Sequence, residues 1–202
     1  MPWEKSFDTD QALAKAMQVF WSKGYDSTSM TNLTQAMGIN KGSLYNAFGG
    51  KRALFIKSIV KYDFENRRQI LSQLEALDDP IRAFGMFFEV LISESVGDSE
   101  KKGCFLINTS LELPRHDEET RTLVTEALKD LEAFFRRGLE AAGARGDVDA
   151  SLDAAVTAKA LVALVVGLRV LARGTYDESG LRAIKAQALV LLGRSDWPST
   201  AP

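Results

Sequence analysis

The chain has 202 residues, 46% hydrophobic and 26% charged, with a net charge of −2. That composition excludes a disordered or low-complexity chain, and the near-zero charge excludes a uniformly basic coat for nucleic acid. A single cysteine excludes an intrachain disulfide framework and fits a reducing cytoplasm. No charged-then-apolar leader with a cleavage site opens the chain. The most apolar run, Ala160 to Leu168, is too short to span a bilayer, so the expectation is a cytoplasmic protein with no membrane partner.

The first predicted helix runs from Phe7 to Gly24, with Leu13, Ala16, Met17 and Phe20 as its apolar stripe. Phe20 and Trp21 read as core that clamps the next two helices. Thr28 and Ser29 can cap a second helix, whose inward face is Leu33, Ala36 and Met37. Gly38 stands where only glycine turns left-handed without steric cost, and Ile39 plugs the turn. Asn40 can cap a third helix, Lys41 to Ala47, with Leu44 and Phe48 facing in. Short helix, glycine turn and short helix make a helix-turn-helix, whose second helix enters the DNA major groove by its N-terminal end. Lys41, Gly42 and Ser43 occupy that end, where glycine lets backbone approach the duplex and the helix dipole favours phosphate. Tyr45, Asn46 and Lys51 can donate to phosphate oxygens without reading sequence. Up to Arg52 the chain carries six basic and four acidic side chains, +2, which leaves −4 for the rest. A mildly basic head on an acidic body suits contact with DNA at one end.

These segments resemble the DNA-binding signature of the TetR (tetracycline-repressor) family of bacterial transcriptional regulators. The matching pieces are AMQVFWSKGY, TSM, LTQAMGINKGSLYNAF and GKRALF, in that order, over about the first quarter of the chain. The resemblance implies that Lys41, Gly42 and Ser43 face the groove and that Tyr45 and Lys51 bind phosphate. It also implies that Thr28, Ser29 and Thr31 form the phosphate-contacting start of the preceding helix. One departure is visible: Met1 to Asp10 holds Lys5 against Glu4, Asp8 and Asp10, which argues against a basic minor-groove arm.

Lys51 to Leu77 reads as one long amphipathic helix, a rigid link leading away from the DNA end. Asp78-Asp79-Pro80 stops it and starts the next, with Pro80 suited to a first helical turn. Ile81 to Val96 is apolar nearly all round, so other helices surround it; Met86, Phe87 and Leu91, with Tyr62, are candidate walls of an effector cavity beside the plainer reading of core. The helix from Gly103 to Leu113 adds Cys104 and Asn108 to that set. Cys104 lies near Lys101-Lys102, where a thiolate would be favoured, and some members of the family use such a cysteine as a sensor; the alternative is a small buried hydrophobe. His116 reads as a solvated connector residue.

Glu118 to Gly143 is a further amphipathic helix. The last two, Leu152 to Arg173 and Glu178 to Arg194, are apolar on more than one face. Leu161, Leu164, Val165, Leu168, Leu181, Ile184 and Leu192 are therefore expected in a four-helix interface between two copies, as the resemblance also implies. The tail from Ser195 to Pro202 is expected to fray.

The expected fold is all-α: a three-helix head over residues 1–50 and a larger ligand-binding and dimerisation domain over residues 51–202. The expected function is a ligand-responsive repressor, a homodimer on a palindromic double-stranded DNA operator, released by a small-molecule effector, without cofactor or metal. One histidine and one cysteine make no recognisable zinc set, and no nucleophile elbow, P-loop or dinucleotide-binding glycine motif is present. The alternatives are an all-helical small-molecule-binding enzyme or a protein-interaction module; neither would bind duplex DNA with steep salt dependence.

Overall fold

A computed structural model describes residues 7–112 and 117–198. His116, the residues at the expected end of the helix before it, and the segment preceding Phe7 lie outside the described residues. The described residues are helical, without a strand among them. They form two compact units that divide after Glu65, not at position 50.

The first unit holds α1 (Thr9–Lys23), α2 (Met30–Met37), α3 (Lys41–Phe48) and α4 (Lys51–Asp63). Asp8 starts α1 by accepting from the Asp10 and Gln11 amides at 2.8 and 3.1 Å. Phe20, Leu33, Leu44, Leu54 and Phe55 are fully buried at its centre, as Leu33 and Met37 are on α2, whereas Ala36 is exposed. α4 belongs to this unit because its rings complete that core. Phe55 meets Phe20 edge-on at 5.1 Å, and Tyr62 meets Trp21 at 4.9 Å.

The expected rod from Lys51 to Leu77 is interrupted. A π-helical turn, Phe64–Arg68, separates α4 from α5 (Gln69–Glu75). Tyr62 is buried near the end of α4, and Arg67 is buried within the π turn.

The second unit continues with α6 (Pro80–Gly97), α7 (Phe105–Leu111), α8 (Glu118–Arg145), α9 (Ala154–Leu171) and α10 (Glu178–Leu191). Asp79 caps α6 through the Arg82 amide at 2.9 Å, and Pro80 occupies its first turn, where no donor is lost. The core is built on phenylalanine: Phe84 lies 5.0 Å from Phe135 and 5.5 Å from Phe134, both pairs edge-to-face. Of the tail expected to fray, residues 199–202 lie outside the described residues, and Trp197 is packed. Trp197 seats on α6 at Gly85, where a Cβ would stand 2.7 Å from the indole, with Phe88 at 6.4 Å and the Lys185 ammonium at 5.5 Å.

Most of the expected interface side chains belong to this core instead. Leu161, Val165, Leu168, Leu181 and Leu192 are at most 3% exposed, so they hold α9 and α10 to their own chain and cannot face a second copy. Leu164 and Ile184 are half-buried against the same core. What stays open is a different stripe: Val156, Ala163 and Val170 on α9, and Ala183, Ala186 and Val190 on α10. α9 is 18 residues long and, by length and composition alone, is apolar enough to cross a membrane, so its apolar stretch is longer than the Ala160 to Leu168 run suggests.

Candidate nucleic-acid interface

The turn between α2 and α3 is built from local chemistry. Ser29 caps α2: its hydroxyl accepts from the Asn32 amide at 3.0 Å while the Asn32 side-chain oxygen accepts from the Ser29 amide at 3.0 Å. Gly38 ends the helix in the left-handed conformation, φ 70°, with its amide bonded to the Thr34 and Gln35 carbonyls. Asn40 then caps α3, its side-chain oxygen taking the Ser43 amide at 2.8 Å. Leu44 and Phe48 are buried beneath, which turns the opposite face of α3 outward.

That outward face carries Lys41, Gly42, Tyr45 and Asn46, all exposed, with Ser43 half-buried beside them. The Lys41 ammonium lies 6.0 Å from the Tyr45 ring. Gly50, φ 111°, leaves room for that ring: a Cβ there would stand 3.1 Å from it. Lys51, at the start of α4, is held 4.2 Å over the Tyr25 ring. The face therefore combines two cations, an exposed phenol, a carboxamide and a helix N-terminus, a donor set for phosphate and base edges.

Two expected members differ in role. Thr28 is buried, 1% exposed, and donates its hydroxyl to the Gly24 carbonyl at 2.7 Å, so it is occupied in closing the turn after α1 and is not free to meet phosphate. Ser29 is exposed but its hydroxyl serves the α2 cap, and Thr31, two residues on, is exposed. Sequence reasoning missed Tyr25 as the support for Lys51; the signal, an aromatic directly after Gly24, was present.

The expected effector residues have the following places. Tyr62 is buried in the first unit against Trp21. Phe87 and Leu91 are buried in the core of the second, with Met86 half-buried against it. Cys104, half-buried, stands at the N-cap of α7. Asn108 ties a loop: it donates to the Lys102 carbonyl at 2.7 Å and accepts from Arg173 at 3.1 Å.

Comparison with known proteins agrees with this geometry. The family described as "Bacterial regulatory proteins, tetR family" matches residues 12–57, and "Tetracyclin repressor-like, C-terminal domain" matches residues 80–188. The HTH-type transcriptional regulator YezE of Bacillus subtilis (strain 168) is 30% identical over 179 residues, 88% of this chain and 92% of that protein. The HTH-type transcriptional repressor ComR of Escherichia coli (strain K12) is 27% identical over 202 residues, 96% of this chain and 90% of that one. A cysteine mutant of the TetR family transcriptional regulator CifR, complexed with 26-base-pair double-strand operator DNA, shares the fold at a TM-score of 0.82. It is 27% identical and the match covers 97% of this chain and 100% of that one. The chain belongs to the tetR family of bacterial regulatory proteins and is a transcriptional regulator.

Proposed function

We propose that the protein is a cytoplasmic repressor that binds an inverted-repeat operator as a homodimer and is released by a small-molecule effector. The observation that carries this reading is the first turn of α3: Lys41 and Gly42 stand exposed while Leu44 and Phe48 anchor the helix from behind. The similarity to ComR, named a repressor, and to CifR, solved on operator DNA, supports both the sign of control and the partner.

The open apolar stripe of α9 and α10 supplies the dimer face. Val156 and Val190 are 63% and 65% exposed, and apolar patches of this kind mark contacts with a partner. At Gly167 a Cβ would meet nothing within 4 Å, so a second helix has room to approach there. Two copies related by a two-fold axis present two α3 helices, so the operator repeats about one DNA turn apart. The effector acts only through its difference in affinity between the state that fits this spacing and the state that does not.

Fluorescence anisotropy with labelled duplexes tests the reading. Affinity should fall linearly on a log–log plot against salt, with a slope reporting several neutralised phosphates. Salt-insensitive or absent duplex binding would favour a helical small-molecule-binding enzyme or an interaction module.

A further inference from the structure

The second unit holds an open cleft of about 570 Å³ between α5, α6 and α8, in the size range of small-molecule sites. The centre of the unit, by contrast, is filled by the phenylalanine cluster around Phe84 and Phe135. The floor of the cleft is apolar, made by Leu74, Leu77, Ala83, Phe134 and Ala141. Gly138 lies under it, where a Cβ would collide with the Phe84 ring at 2.5 Å, so this turn of α8 has no side chain to fill the space.

The rim is ionic. A smaller hollow of about 180 Å³ shares Glu75 and Arg137 with the cleft and adds Arg67, Arg68 and Asp130. Across the two, Arg67, Arg68, Arg137 and Arg145 face Glu75, Asp78 and Asp130. Asp130 is engaged by Arg67 at 3.3 Å. Arg145 donates to the Asp78 carbonyl and lies 3.3 Å from Asp147. Arg137 pairs with Glu75 from α5, and both side chains are well exposed, 57% and 41%. Such a surface pair contributes little and exchanges readily. A guanidinium matches a carboxylate with two parallel hydrogen bonds, so an incoming carboxylate can take the place of Glu75.

The geometry points to this cleft as the effector site, taking an amphipathic anion: a carboxylate on an apolar body, with the body on the floor and the carboxylate on Arg137. This rests on the reading of the protein as ligand-responsive, and it names the site and the chemical class.

Isothermal titration of the full chain with decanoate, decanol and decyltrimethylammonium, each below its micelle concentration, tests it. Decanoate should bind, and Arg137→Gln should weaken it roughly tenfold or more while leaving decanol unchanged. Ala141→Trp, at an exposed helix position, should block both by filling the cleft. Far-UV circular dichroism checks that both variants fold. No decanoate binding, tighter binding of the ammonium, or decanoate affinity indifferent to both variants would overturn the site. Anisotropy of a preformed DNA complex separates the two claims. Decanoate that binds through Arg137 without releasing DNA leaves the site standing and removes the ligand-responsive reading. Release by other small molecules, with no decanoate binding, does the reverse.

Discussion

The Lys51 ammonium lies 4.2 Å from the centroid of the Tyr25 ring, and that ring rests in turn 4.8 Å from Phe55 in the core of the head. A cation that would otherwise sample many rotamers is thus aimed from below by a side chain anchored in the fold. Lys51→Ala should weaken binding to every duplex and lower the salt slope by about one, the signature of one lost phosphate contact. Tyr25→Leu keeps the charge and removes its support, so its loss should have the same direction and amount to about 0.5–1 kcal/mol. Anisotropy at two salt concentrations checks both; a larger loss for Tyr25→Leu than for Lys51→Ala would contradict the order.

Lys41 stands one residue past the Asn40 cap, where a side chain reaches base edges, whereas Tyr45 stands one turn further on. Lys41→Ala should therefore change the rank order of a panel of operators. Tyr45→Phe should weaken all of them alike, by about 0.5–1.5 kcal/mol, the size of one hydrogen bond. Equal losses on every operator for both variants would refute the assignment of Lys41.

The head was legible because its decisive chemistry is local. Gly38, Asn40 and Leu44 each state a cap, a turn or an inward face within a few residues of themselves. The C-terminal unit was harder for a definite reason. A helix such as α9 that is apolar on more than one face has two candidate faces, and the larger side chains drew the expectation to Leu161 and Leu168, which pack inside. The stripe of Val156, Ala163 and Val170 that stays open consists of smaller residues and gives a weaker signal. The seat of Trp197 at Gly85 joins positions more than a hundred residues apart, and nothing near either one announces it. The π turn at Phe64–Arg68 adds its wider turn without a proline or glycine to mark it. The cleft beside Arg137 arises from three helices at once, so no single stretch of sequence announces it.

The two faces of the last helices should separate under mutation. Val190→Glu places a charge on an exposed valine, so sedimentation should show monomer while the thermal midpoint measured on that monomer keeps a cooperative unfolding transition. Leu161→Ala removes a fully buried side chain and should cost about 2–5 kcal/mol of stability while leaving association intact. A dimeric Val190→Glu protein would show that copies meet elsewhere.

Glu89 accepts from Lys185 at 2.5 Å and from Arg182 at 3.1 Å. The Lys185 hydrogen bond, aided by the charges of Lys185 and Arg182 and opposed by partial burial, lowers its pKa from the ordinary carboxylate value of 4.5. A depressed folded pKa contributes stability that is present above the unfolded value and is lost as pH falls through the folded one. The thermal midpoint should therefore fall as the pH drops below the ordinary carboxylate value, and Glu89→Gln should flatten part of that fall. The carboxyl is more than a third exposed, so solvent and salt screen the effect, and added salt should shrink the difference.

The most direct measurement is lysine acylation of the protein with and without duplex DNA, read by mass spectrometry. Lys41 and Lys51 should lose reactivity when DNA is added, while Lys129, exposed on α8, should keep it. Lys41 equally reactive in both states, with protection appearing on the C-terminal unit instead, would contradict an account in which the start of α3 meets the duplex.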